Sequence, residues 1–129
     1  MAFIVAAHRS ADTRAIVRSV LEEAGHTVVL FSDGAHALAE ITAGMPDAVV
    51  LDDRLGGMSG LEVRSALRAC PVVAGIRVVV CSATLSPAEI YALQADGDVA
   101  VRPSMITAEL RTGVDRALAA GMPLAGAIR

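Results

Sequence analysis

The chain has 129 residues, 54% of them apolar, with a mean hydropathy of +0.57 and a net charge of −3. That length suits one domain able to bury a core without disulfides or metals, and an acidic balance with one Tyr, two Phe and no Trp argues against a nucleic-acid surface, which needs basic charge and stacking platforms. Apolar runs are cut by charges well below the roughly 20 residues of a membrane span, and no charged segment followed by an apolar one opens the chain, so neither an anchor nor a signal peptide is expected.

Short β-branched runs alternate with segments of helical period. Phe3–Ala7 reads as a first strand. A helix is predicted from Ala11 to Ala24, because Ile16, Val17, Val20, Leu21 and Ala24 recur at spacings of three and four. Gly25 is placed to stop it. Thr27–Phe31 is a second strand, and 34–43 a helix with Ala37, Leu38 and Ile41 inward. A Gly-Met-Pro-Asp turn at 44–47 precedes a third strand at 48–51, continuously apolar and so expected to be central. The Gly-rich loop 54–60 leads to a helix over 61–69, with Val63, Ala66, Leu67 and Cys70 on its buried side. Arg77–Cys81 is a fourth strand. Ser86 and Pro87 are a favoured N-cap and first-turn pair for a fourth helix, and the adjacent Ile90 and Tyr91 cannot both face the core. With Leu93 they suggest an apolar patch and a possible homodimer. Val99–Val101 is a short fifth strand, and the last helix is predicted over 107–119 with Leu110, Val114, Ala117 and Leu118 facing in.

Five βα units predict an α/β fold in which helices cover both faces of a parallel sheet. At this size the expected architecture is flavodoxin-like and doubly wound, a (βα)5 unit with a five-stranded sheet in the order 2-1-3-4-5. The domain is expected over 1–121, with a short C-terminal tail at 122–129. Cys70 and Cys81 lack metal-binding or redox spacing and read as reduced thiols of a cytoplasmic protein.

In such folds chemistry gathers beyond the carboxyl ends of the strands. The residues there are His8 and Arg9, Asp52 and Asp53, Ser82 and Ala83, and Arg102 and Pro103. The segment Leu51–Leu61, with Asp52 at the strand end and Met58, Gly60 and Leu61 following, resembles the phosphoacceptor loop of bacterial response-regulator receiver domains. Ser82-Ala83 is similar to that family's Thr/Ser-Ala pair, whose hydroxyl binds a phosphoryl oxygen. Arg102-Pro103 is similar to its Lys-Pro pair. The resemblance covers about residues 2–120. It implies two-component phosphorelay signalling by contact with a histidine kinase or an output protein, Asp52 as the phosphoacceptor equivalent, and the face of the fourth helix, fifth strand and fifth helix as the contact surface.

The departures are concentrated at the site. Aligned through Arg14, the family's acid pair after the first strand falls on His8 and Arg9. Gly56 stands where a Pro is usual, and Val99 at the aromatic switch position. Arg102 replaces Lys in a chain whose 11 basic residues are all Arg. Mg²⁺ wants oxygen ligands, and Asp52 with the Arg54 backbone is a weak set beside a permanently charged guanidinium. No cofactor is therefore expected, with Mg²⁺ weak at best, and phosphoryl transfer that depends on the metal should be impaired.

The expected protein is an atypical, non-enzymatic receiver that signals by protein contact. The alternatives are a working phosphoacceptor at Asp52 and, from another class, a flavodoxin-like domain binding a small ligand, disfavoured because residues 8–12 hold no glycine to cradle phosphate. For the buried Asp52 carboxylate, Arg9 or Arg102 is expected within salt-bridge distance of Asp52 or Asp53, with His8 in reserve, so that its pKa falls.

Overall fold

The computed structural model describes the backbone of residues 1–127 and the side chains of residues 1–120. The β-branched runs form strands β1 (Phe3–Ala7), β2 (Thr27–Phe31), β3 (Ala48–Asp52), β4 (Arg77–Cys81) and β5 (Val99–Val101). All pairings are parallel, in the order β2-β1-β3-β4-β5. Every residue of β3 is buried, as its unbroken apolar character requires of a strand covered on both faces.

The period-2 alternation of the strands divides the core into two layers. Ile4, Ala6, Val50, Val79, Cys81 and Val101 face helices α1 (Ala11–Glu23) and α5 (Ile106–Ala127). Val5, Ala7, Val49, Leu51, Val78 and Val80 face α2 (Gly34–Gly44), α3 (Gly60–Ala69) and α4 (Pro87–Ala95). Helix starts follow the sequence signals. Ser59 with Glu62, and Ser86 with Glu89, each form a reciprocal capping box. Past the end of α1, Gly25 takes φ +92, a left-handed conformation that suits glycine.

Helix α5 departs from expectation. It runs to Ala127, whereas Gly121 and Pro123 favour an end near Ala119; the alanines around them carry the strongest helix propensity and the helix continues. Residues 128 and 129 of the expected tail lie outside the described residues. Among the described residues no helix is long and apolar enough to cross a membrane.

At the end of the sheet opposite the predicted site, Asp98 is 2% exposed. It accepts from Arg64 Nε (2.7 Å), Arg68 Nη2 (2.5 Å) and the backbone N–H of Val78 (2.7 Å). Arg64 also pairs with Asp96. This node fastens α3 to the start of β4 and to the turn between α4 and β5.

Candidate functional site

The carboxyl ends of β1, β3 and β4 meet at an open cleft of about 340 Å³ lined by His8, Arg9, Asp52, Asp53 and Thr84. The helix after the β3 loop starts directly beneath it. A Cβ on Gly60 would lie 2.3 Å from the carbonyl oxygen of Asp52, so only glycine allows this approach.

His8 is positioned by its backbone. Its N–H donates to Phe31 O (3.1 Å), and Arg14 of α1 reaches back to donate to His8 O (2.7 Å) and Arg9 O (3.1 Å). The backbone N–H of Ser10, the N-cap of α1, donates to His8 Nδ1 (3.1 Å). That contact makes Nδ1 an acceptor and assigns the ring proton of neutral His8 to Nε2. Nε2 lies 3.3 Å from Asp52 Oδ2. Burial pushes His8 below its ordinary pKa, against the pull of the Asp52 carboxylate. Burial likewise pushes Asp52 above the usual carboxylate value; His8 and the N–H of Arg54 oppose this without reversing it. The pair is therefore a desolvated imidazole set 3.3 Å from a desolvated carboxyl group, an electrostatic contact.

Asp53, one residue on, turns toward β4. Ser82 Oγ donates to Asp53 Oδ2 (2.5 Å), Thr84 Oγ1 donates to the same oxygen (3.0 Å), and the N–H of Thr84 donates to Ser82 Oγ (3.0 Å). Burial raises the pKa of Asp53, but the two hydroxyls, the neighbouring Asp52 carboxyl and the Arg54 charge together hold it below its usual value. Cys81 lies buried next to Ser82, and burial, with the two carboxylates, pushes its thiol up to about 12. At neutral pH it is a protonated core thiol.

The expectation of a guanidinium at the carboxylates is overturned. Among the described residues neither Arg9 nor Arg102 comes within salt-bridge distance of Asp52 or Asp53; the basic side chain that does is His8, at Asp52. Arg102 is exposed and binds Glu109 of α5 instead (2.9 Å). Arg9 is exposed at the rim, where water solvates its charge more cheaply than a carboxylate at the cleft floor could. Without that cation the Asp52 pKa rises where a fall was expected.

The remaining residues are placed as follows. Ala83 is exposed at the cleft, and Pro103 opens a 3₁₀ turn, Pro103–Met105, on its far side. Val99 packs on the α5 side of the sheet, where a Cβ on Gly113 would touch its Cγ1 at 3.4 Å. On the other side, between α4 and β5, runs an open groove of about 680 Å³ bordered by Ser82, Leu85, Ile90, Ala100 and Arg102. Tyr91 is 75% exposed, but Leu93 is buried in the α2–α4 layer and cannot join an apolar surface patch with it. Sequence reading missed Thr84 and the clip made by Arg14; the hydroxyl two residues beyond Ser82 was the available signal.

The Mg²⁺ that the resemblance implies does not fit these residues. Asp52 faces the Nε2 edge of His8, one oxygen of Asp53 is committed to two hydroxyls, and among the described residues no further carboxylate completes an oxygen set. His8 Nε2 presents a proton where a ligand would present a lone pair. Among the described residues no three His, Cys, Asp or Glu side chains cluster closely enough to hold a metal ion.

The family model of the response regulator receiver domain matches residues 4–114. The transcriptional regulatory protein TcrA of Mycobacterium tuberculosis is 48% identical over 54 residues, which are 42% of this chain and 21% of that protein, so the match spans about a fifth of the curated relative's length. Among solved structures, the chemotaxis protein CheY4 of Vibrio cholerae superposes with a TM-score of 0.80 at 24% identity, covering 92% of this chain and 99% of that one. NtrX of Brucella abortus gives 0.81 at 22%, covering 99% and 29%. The signal receiver domain of a histidine kinase from Syntrophus aciditrophicus gives 0.80 at 19%, covering 92% and 91%. These structures share the fold, and the family match extends over most of the chain. The chain belongs to the response regulator receiver domain family of two-component signalling.

Proposed function

We propose that this is an atypical receiver whose Mg²⁺-dependent phosphorylation at Asp52 is impaired and whose signal passes by protein contact. Receiver domains bind Mg²⁺ at the phosphorylation site and interact with histidine kinases and output domains. The observation that carries the reading is the His8 Nε2 contact to Asp52 Oδ2 at 3.3 Å, a proton donor where the metal's second carboxylate is needed. Residues 1–121 act as the signalling unit, with 122–129 as a short tail and no catalysis beyond the receiver's own role. The partner is a histidine kinase or an output protein. A second copy is a further partner, supported by the exposed ring of Tyr91 on α4. The free Cys70 and Cys81 suit a cytoplasmic setting.

Titration with Mg²⁺ and then beryllofluoride, followed by amide NMR, tests the reading. Saturable shifts at Asp52, Asp53 and Ser82 should be absent in the wild type. The double variant His8→Asp/Arg9→Asp should bind Mg²⁺ roughly tenfold more tightly or better, because two anions replace an N–H and a cation. Tight Mg²⁺ binding and a full beryllofluoride response in the wild type would overturn the proposal in favour of a working phosphoacceptor.

A further inference from the structure

Helix α4 is weakly seated. Only Leu93 of its nine residues is fully buried, and its outer face carries the exposed Ala88, Tyr91, Ala92 and Ala95. Apolar burial at about 25 cal/mol per Å² holds most helices in place; α4 has little of it. What it has instead is a polar attachment at each end. After its last turn, Asp96 and Asp98 bind Arg64 and Arg68 of α3. Before its first turn, the segment Ser82–Thr84 is tied to Asp53 by two side-chain hydroxyls, and Ser82 is braced to β5 through its N–H on Val101 O (3.0 Å).

These two attachments differ in kind. The one at the far end is enclosed and made by two fixed cations. The one at Asp53 stands in the open cleft, is made by neutral hydroxyls, and both bonds converge on a single oxygen, Oδ2. Losing that oxygen releases both hydroxyls together. The same Ser82 and the following Leu85 form one wall of the groove between α4 and β5, opposite Ala100 and Arg102.

We propose that Asp53 is a latch: its Oδ2 holds the β4–α4 segment through Ser82 and Thr84 and so fixes the start of α4 and the wall of the α4–β5 groove. The latch needs no modification at Asp52, and it stands whether or not Asp52 accepts a phosphoryl group. Asp53 acts as a positioning residue, because it works through Ser82 and Thr84 and reaches the groove only by way of them. The groove in this chain is then set by the residue that directly follows its third strand.

Site-resolved hydrogen exchange of the whole chain, without Mg²⁺, tests the latch independently of Asp52 chemistry. The amides of Ser82 and Thr84, both hydrogen-bonded, are the reporters, and those of Val5 and Val29 control for global unfolding. Asp53→Ala should speed exchange at Ser82 and Thr84 roughly tenfold or more, since hydrogen bonds to a charged group are lost, and leave the controls unchanged. Asp53→Asn should restore part of the protection, because its carbonyl oxygen still accepts. Thr84→Ala, at an exposed position, should give a smaller increase at the same amides. The chemical shifts of Leu85 and Ala100 should move in step, a groove response that loss of overall stability would not produce. If Asp53→Ala fails to fold, Thr84→Ala decides alone. Wild-type exchange at Ser82 and Thr84 in a folded Asp53→Ala or, failing that, in Thr84→Ala would overturn the latch.

Discussion

Two aspartates are withdrawn from water at opposite ends of the sheet, and the protein treats them differently. Asp98, 2% exposed, is enclosed by two guanidinium groups and a backbone N–H. Asp52, 7% exposed, faces a neutral imidazole and the mouth of a cleft. A buried charge is costly unless paired and hydrogen-bonded. At Asp98 the pairing is complete, and the carboxylate is structural. At Asp52 it is partial, so the site carries a cost that a purely structural position would not retain.

The largest effect should come from Asp98→Ala. It leaves Arg64 and Arg68 facing each other across a vacated site, and breaking such a buried pair costs about 3–5 kcal/mol. A drop of that size in urea-unfolding stability checks it. A loss below about 1 kcal/mol, the range of an exposed pair, would erase the contrast between the two ends.

Asp52→Asn should act in the opposite direction and stabilise the protein by about 1 kcal/mol near neutral pH, because it removes a poorly compensated buried charge. The pH dependence sharpens this. Asp52 has a folded pKa above its unfolded value of 3.8, so its cost is absent below 3.8 and grows as pH rises through the folded value. His8 has a folded pKa below 6.5, so its cost is absent above 6.5 and grows as pH falls through the folded value. Thermal unfolding across this range should show the wild type losing stability relative to His8→Gln as pH falls below 6.5, because the relief at Asp52 is common to both proteins.

The smallest effects belong to the two arginines. Arg102→Ala removes an exposed pair with Glu109 and should change stability by no more than about 1 kcal/mol. Arg9→Ala should leave the Asp52 titration, followed by carboxyl NMR, where it is in the wild type.

The strands and their order were legible because β-branched runs separated by helical periods leave few topologies. Which basic group meets Asp52 was not. A permanent charge made Arg9 and Arg102 attractive partners, yet side-chain direction decided the matter. His8 directly follows β1 and is held over Asp52 by Phe31, Ser10 and Arg14, while Arg9 sits one residue further into the loop and leaves for solvent. Arg102 is drawn off by Glu109, seven residues later, across the 3₁₀ turn that leads into α5. The turn of Asp53 toward Ser82 and Thr84 was illegible for the same reason: loop geometry sets it, and no periodicity encodes loop geometry. The end of α5 escaped because Gly121 and Pro123 are local signals that an alanine-rich helix overrode.

The two outer strands of the sheet are unequal. β5 is three residues long, too short to template another chain effectively. β2 presents five, Thr-Val-Val-Leu-Phe, uncharged, free of proline and rich in β-formers, with one edge unpaired. The acids at Glu22 and Glu23 before it and Asp33 after it are placed as gatekeepers, raising the cost of stacking this strand on a second copy. The aggregation hazard of the molecule therefore lies on its β2 side, at the edge of the sheet opposite the α4–β5 groove.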